Sequence, residues 1–338
     1  MPIFKEILTK FKTTIFASSS ILEKQDSTYL NRQSPDFRFL YLDSIKTSKQ
    51  IRKKVLLFKK VTDLTKFLEF EKKFGKSIGF APTMGALHEG HLSLIRRTKK
   101  ENDCSVCSIF VNPTQFNEAS DLEKYPQTPG KDIDLLISVG CDVVFMPTVD
   151  EVYPSSQKSN LNFDFGNLDK VLEGEHRPGH FDGVAQVVHR LLEIVKPDNL
   201  YMGQKDFQQF TIIQRMLELT NSETRLVVCD IIREEDGLAM SSRNRRLKAD
   251  LREKAPLIHQ TLLEAKKNMH ALFPKQIKEE ALKKLSIPDF KPEYFEIVNG
   301  KTLMPVEILE DVDYAVACAA VWVGDIRLID NMILKKEI

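Results

Sequence analysis

Short apolar runs alternate with helix-like stretches along most of this chain, and that alternation narrows its fold more than any other feature. "SIGFAPT" (77–83), "SVCSIFV" (105–111), "CDVVFMP" (141–147), "NLYMG" (199–203) and "RLVVCDII" (225–232) have the length and residue types of buried strands. Helical patterns separate them. One starts near Gly90. A second has Thr128 as N-cap, Pro129 at the first helical position, Ile133, Leu136 and Ile137 on one face, and Gly140 past its end. A third, "FDGVAQVVHRLLEIVKPD", spaces Val184, Val187, Val188, Leu191, Leu192 and Val195 on one side and stops before Pro197; "QQFTIIQRMLEL" is the fourth. Strand, helix and strand in repetition build a parallel sheet, and such sheets bind ligands at the carboxyl ends of their strands.

After Asn244 the texture changes. Charged helical stretches over 248–270 and 275–285 lead into "YFEIVN", "YAVACAAVWVG" and "IRLIDNMIL", which read as antiparallel strands turning at Asn299-Gly300 and Gly324-Asp325. The expected architecture is α/β: a Rossmann-like parallel-sheet domain over 54–244 and a smaller C-terminal α+β domain over 245–338. The second domain follows directly from a serine-rich loop and is placed to act as a lid hinged near Asn244. Residues 1–53 are rich in Ser, Thr, Lys and Arg and have no sustained apolar period. They read as an N-terminal extension, either a disordered tail or a segment outside the working protein; organellar targeting is opposed by Glu6, Glu23, Asp26, Asp36 and Asp43.

The 338 residues carry a net charge of +1, so no global field recruits nucleic acid or an anionic membrane. No apolar run reaches the ~20 residues of a membrane span. Five cysteines, odd in number, suit a reducing compartment without a disulfide framework, hence a cytoplasmic protein. Cys104 and Cys107 form a CxxC, but inside a strand-like run and without a second ligand pair, so a buried strand is favoured over a redox or zinc motif.

Polar chemistry gathers at the strand ends. His88-Glu89-Gly90-His91 follows the first of these strands and opens a helix, whose free N–H groups and dipole already favour an anion. Two imidazoles one turn apart add donors, and Gly85 and Gly90 allow a tight turn and close ligand approach. The spacing of three differs from the HExxH of zinc helices. "GLAMSSRNRRL" (237–247) brings Ser241, Ser242 and Arg243 after the fifth strand, a donor cluster able to close over phosphates. "YMGQKDFQQF" (201–210) offers Gly203 for close approach of a ribose, Lys205 for phosphate, Asp206 for ribose hydroxyls, and Gln208 and Gln209 as paired polar groups. Asn112 and Gln115 in "VNPTQF" take the same part, suited to a small substrate with hydroxyl and carboxylate oxygens. "EGEHRPGHFDG" (173–183) adds His176, Arg177 and His180. His189 reads as structural, and His259 and His270 as belonging to a solvated face.

The HxGH and Met-Ser-Ser-Arg segments resemble the nucleotidyltransferase superfamily that includes class I aminoacyl-tRNA synthetases. Together "PTMGALHEGHLSLI", "VNPTQF", "YPQTP", "RPGHFDGVAQVV", "GQKDFQQ", "DGLAMSSRN" and the terminal "RLIDN" resemble the pantoate–β-alanine ligases, from about residue 54 to the end and in that family's order. The resemblance implies a ligase of pantothenate biosynthesis that uses ATP and Mg²⁺ to join pantoate to β-alanine through a pantoyl adenylate. AMP and pyrophosphate would be released. It implies that His88 and His91 contact the triphosphate and that Lys205, Ser241, Ser242 and Arg243 hold the phosphates. Pro82, Met84, Gly203, Asp206, Ile232 and Met240 would complete the ATP site. Gln115, Gln209, Asn112 and Met84 would receive pantoate, with Arg177 and His180 within reach. Asp132 would serve magnesium, although Gln127 and Lys131 stand where the family usually has Arg and an acidic residue. A homodimer is implied as well. Two rivals share part of the pattern: another HxGH adenylyltransferase, lacking the glutamine pair, and a non-catalytic ATP-binding protein.

Overall fold

A computed structural model describes residues 29–34, 37–43, 54–115, 123, 125–154 and 161–337. The main sheet has the order β1-β2-β3-β6-β5-β4-β7-β8, and the six strands from β3 to β8 run parallel. These are β3 (Lys54–Phe58), β4 (Ile78–Thr83), β5 (Cys104–Ile109), β6 (Val143–Phe145), β7 (Asn199–Gly203) and β8 (Arg225–Cys229). A hairpin of β1 (Tyr29–Ser34) and β2 (Phe37–Asp43) pairs antiparallel with β3. It falls within the N-terminal extension; the remainder of 1–53, and the expectation of a tail there, lie outside the described residues.

Strand β5 is buried along its whole length, as a strand covered on both faces must be. On one face pack α1 (Val61–Lys73), α6 (His180–Val195) and α7 (Phe207–Leu219), around Leu64, Phe80, Val188 and Ile212. On the other lie α2 (Glu89–Glu101) and α3 (Pro129–Val139), around Ile95, Leu136 and Tyr201. Helix α3 ends as its punctuation predicts, with Gly140 in the left-handed region at φ 78°. Short helices α4 (Val149–Val152) and α5 (Glu173–His176) lie in the long β6 to α6 connection. All five cysteines are free and buried; burial pushes the Cys104 and Cys107 thiols up to about 12, which leaves them inert in their strand.

The second sheet is antiparallel, in the order β11-β10-β9, with β9 (Phe290–Asn299), β10 (Tyr314–Val323) and β11 (Ile326–Lys336). Its own core includes Leu262, Ala281, Phe295 and Val321 and lies under α9 (Leu257–Asn268) and α10 (Pro274–Leu285). Val316 and Cys318 instead join the core of the parallel-sheet unit, so the two units share apolar surface. The helical stretch expected over 248–270 is divided into α8 (Ala249–Lys254) and α9, because Pro256 has no N–H to continue the ladder. Gly324-Asp325 is the tight hairpin expected. Asn299-Gly300 is not: it opens an excursion that holds a short 3₁₀ turn at Leu309–Asp311 before β10 begins.

The strand order fixes where a ligand can enter. From β4 the chain moves to β5 on one side, whereas from β7 it moves to β8 on the other. The carboxyl ends of β4 and β7 therefore flank the switch point, where neighbouring connections diverge and leave a crevice.

One close contact keeps the central strand under its helix. A β-carbon on Gly79 of β4 would lie 2.4 Å from Asn102 Nδ2 and 2.6 Å from Thr98 Cγ2, and the Asn102 amide is committed to Tyr201 Oη at 2.7 Å. Gly79→Ala should destabilise the protein by about 1–3 kcal/mol through overpacking, read as a lowered urea midpoint; an unchanged midpoint would show that α2 can move away at no cost.

Candidate active site

The β4–α2 turn builds the first wall of the crevice. Gly85 and Ala86 are both left-handed, at φ 83° and 51°, and the second carries a β-carbon that disfavours this conformation. Asp132, reaching over from α3, holds the pair: Ala86 N–H donates to Oδ2 at 3.0 Å and Leu87 N–H to Oδ1 at 2.8 Å. Thr128 Oγ1 also donates to Oδ1, at 3.2 Å. Asp132 is 1% exposed. The residue expected as a magnesium ligand is thus spent on backbone under the turn. Among the described residues no group of three His, Cys, Asp or Glu side chains is arranged to hold a metal. The described side chains do not build a magnesium site of their own.

The two histidines form a reciprocal cap. His88 Nδ1 accepts from Gly90 N–H at 3.2 Å, and His91 Nδ1 accepts from the His88 N–H at 3.3 Å, with ring centroids 4.0 Å apart. Because each Nδ1 is an acceptor, each neutral ring carries its proton on Nε2. Burial, then the Lys205 and Arg245 charges, lowers His88 to about 4; burial, then His88 and Lys205, lowers His91 to about 3. Both are neutral donors at pH 7, not cations.

Lys205, after β7, supplies the charge between them. Its Nζ stands 3.8 Å from Oδ1 of Asp206, the residue just before α7, whose side chain makes no capping bond to the helix. A β-carbon on Gly203 would meet no protein atom within 4 Å, so the fold leaves space for a ligand against that backbone. The serine loop closes from the far side: a β-carbon on Gly90 would lie 3.8 Å from Met240 Cβ. Met240 N–H donates to the Ile232 carbonyl at 2.9 Å, tying together the two residues expected beside adenosine. Ser241 Oγ accepts from Arg243 N–H at 3.2 Å, and Ser242 opens the 3₁₀ turn that follows. Asn244, the expected hinge, is buried in that turn and donates to the Ala239 carbonyl at 3.0 Å.

A cavity of about 640 Å³ opens beside these loops, with Met84, Gln115, Lys205, Asp206, Gln209 and Arg243 on its wall. That volume suits a small-molecule site. Arg177 and His180 line it too. His180 Nδ1 donates to the Gln115 carbonyl at 2.9 Å while its Nε2 faces Arg177 Nη1 at 3.1 Å; burial and then Arg177 lower it to about 4. Gln115 Nε2 donates to Met84 Sδ at 2.8 Å. Pro82, near the end of β4, is half-buried and does not line the cavity.

Two glutamine or asparagine expectations change. Asn112 is fully buried, its amide donating to Thr114 Oγ1 at 2.9 Å and the Gly183 carbonyl at 3.3 Å, so it shapes the Gln115 turn from behind. Gln208 is 3% exposed and its amide donates to the Leu168 and Val171 carbonyls, so although it lines the cavity with Gln209, its amide hydrogens are spent on backbone. His259 is half-buried against the Gly237 turn rather than on a solvated face.

Sequence reasoning gave no part to Glu173, Glu293, Tyr294 or Arg327. Arg327 binds both oxygens of Glu173, at 2.6 and 2.8 Å, and Glu293 at 2.9 Å, and Tyr294 Oη donates to Glu173 at 2.6 Å. This cluster joins α5 to the C-terminal sheet across the cavity wall. Its sequence signals are an acidic residue ahead of the RPGH segment and the arginine that opens the terminal RLIDN segment.

Known proteins share this arrangement of chain. The pantoate-beta-alanine ligase family model matches residues 56–333. A pantothenate synthetase of Porphyromonas gingivalis is 47% identical over 277 residues, spanning 82% of this chain and 98% of that protein. The crystal structure of a pantothenate synthetase from Thermus thermophilus superposes with a TM-score of 0.76 at 37% identity, over 82% of this chain and 99% of the other. A pantoate-beta-alanine ligase from Francisella tularensis, solved with beta-gamma ATP and beta-alanine, gives 0.68 at 34% identity, over 83% and 98%.

The buried caps carry a pH dependence. An imidazole held below its free value of 6.5 charges later in the folded chain than in the unfolded one, so stability is complete above that pH and declines as pH falls toward 4. Melting temperatures from pH 7.5 to 4.5 should fall less steeply for His91→Gln than for the parent protein; parallel curves would mean His91 is not the source.

Proposed function

The chain belongs to the pantoate-beta-alanine ligase family, and from that premise we propose that it condenses pantoate with β-alanine to pantothenate using ATP, by way of a pantoyl adenylate. One observation carries the reading onto this chain's own residues. Lys205 shares a cavity wall with Gln115, Gln209 and Arg243, and its charge, after burial, adds to the lowering of both imidazoles.

In the first step the pantoate carboxylate attacks the α-phosphorus and pyrophosphate leaves. Anion meets anion, so the reaction needs cations and fixed donors more than a general base. Lys205 and Arg243 supply positive charge. The α2 N-terminus and the Nε2–H groups of His88 and His91 supply oriented dipoles that need no reorganisation. Neutral rings suit this part, since a charged pair 4.0 Å apart at the ring centres would repel. Ser241 and Ser242 extend the donor set from the facing loop. Gln115 and Gln209 would orient pantoate beside Met84, with the Gln115 turn held by His180 and Arg177. In the second step the uncharged amine of β-alanine attacks the acyl carbon, AMP leaves, and the surplus amine proton passes to solvent.

Magnesium would then depend on oxygens of the triphosphate, in keeping with the few protein ligands it commonly takes. The adenosine contacts at Gly203, Asp206, Ile232 and Met240, and a cytoplasmic homodimer acting on small molecules, belong to the same proposal.

His91→Ala and Lys205→Ala should each lower turnover by about 10²- to 10³-fold with an unchanged far-ultraviolet spectrum. AMP release by the parent protein should require pantoate and β-alanine together. ATP breakdown indifferent to pantoate would point to another adenylyltransferase, and ATP binding without AMP to a non-catalytic protein.

A further inference from the structure

The "RLIDN" segment near the C-terminus lies in β11, at the edge of the smaller sheet, yet it carries two buried polar residues among its apolar neighbours. Asp330 is 5% exposed and Asn331 2%. Successive strand residues point to opposite sides, and each of these meets a different loop of the candidate site.

Asn331 meets the Lys205 loop. Its Nδ2 donates to the Gln204 carbonyl and to the Lys205 carbonyl, both at 2.9 Å, and its Oδ1 accepts from Gln204 Nε2 at 3.1 Å. One amide thus uses both its donor hydrogens and its acceptor on two consecutive residues. Asp330 meets the serine-loop hairpin. It binds Arg233 through both oxygens, at 2.6 and 3.0 Å, and the same guanidinium donates to the Gly237 carbonyl at 3.1 Å. Arg233 also bridges backbone to backbone with Ala239, two residues before Ser241. Asp330 Oδ1 further accepts the Asn331 N–H at 2.8 Å, which links the two holds.

We propose that Asp330 and Asn331 are positioning residues for adenylate formation: a clasp in which the C-terminal strand fixes the Lys205 loop and the Ser241–Arg243 loop relative to each other. Both reach the wall of the cavity, but their polar side-chain atoms are committed to these two loops. The proposal rests on the phosphate-binding role given to Lys205 above. Its physical basis is that Lys205 has a long flexible stem, so the position of its ammonium depends on where its backbone is anchored, and a misplacement of ~1 Å can cost on the order of 10²-fold in rate.

The test is a double-mutant cycle read as pyrophosphate release. Asn331→Ala should lower kcat by about 10- to 100-fold while KM for β-alanine stays within about twofold. In a Lys205→Ala background the same substitution should cost nothing further, because the group being positioned is already gone. If Asn331→Ala costs its full factor in both backgrounds, the clasp is overturned and the ligase reading stands. If Lys205→Ala alone leaves turnover intact, both fall. Should Asn331→Ala lose its cooperative melt, Gln204→Ala, which removes one of the three bonds from the other side, is measured in the same two backgrounds with a smaller expected loss and the same deciding comparison.

Discussion

The turn between β4 and α2 must do two opposed things: it reverses direction tightly enough to start a helix at the sheet's switch point, and it keeps that helix's N-terminus open to a ligand. Two consecutive left-handed residues accomplish the reversal, and for Ala86 this conformation costs roughly 1–3 kcal/mol. The Asp132 carboxylate offsets the cost with two bonds from backbone N–H groups, each of a kind worth about 1.5–3 kcal/mol. The balance favours the turn. His88 and His91 can then cap one another through Nδ1 and keep Nε2–H for other partners, because Asp132 rather than either imidazole holds the loop.

The site is assembled by convergence, in a protein whose net charge is only +1. Lys205 comes from the end of β7, Arg243 from the loop after β8, and the imidazoles from the end of β4. Positive charge is concentrated locally at these strand ends, and burial first, with Lys205 adding to it, keeps both rings neutral. The C-terminal sheet belongs to this assembly as much as the parallel one does. Arg327 reaches Glu173, Asp330 reaches Arg233, and Asn331 reaches the Lys205 backbone. The element expected as a lid is thus bonded to the parallel-sheet unit at three places, and any opening motion would have to release these bonds.

Much of the site was legible in the sequence, because ligand-facing groups in this fold sit in strand-to-helix turns, and those turns are bounded by glycines and apolar runs that can be read directly. His88, His91, Lys205 and Arg243 are singled out in this way, and each lies in a segment that follows a strand of the parallel sheet. The parts that stayed hidden were residues whose function is to hold another residue. Asn112 and Asp132 looked like ligand-binding groups because polar side chains near a strand end look alike until their partners are known. Strand β3 and helix α1 were not distinguished either: "KVLLF" is a short apolar run with no turn signal before it, and it becomes a strand by pairing with β6, a partner about ninety residues away.

The sequence by itself determined the alternation of strand and helix, the change of texture after Asn244 and the family resemblance, since each depends on residue types at short spacing. Only the tertiary structure decided which nitrogen of each imidazole is free, that Asp132 lies beneath the turn, and that β11 ties two loops together. The physical reason is that hydrogen-bond partners and burial are set by residues far apart in the chain. Asn331 and Lys205 are separated by 126 positions, and only folding brings the amide of one to the carbonyl of the other.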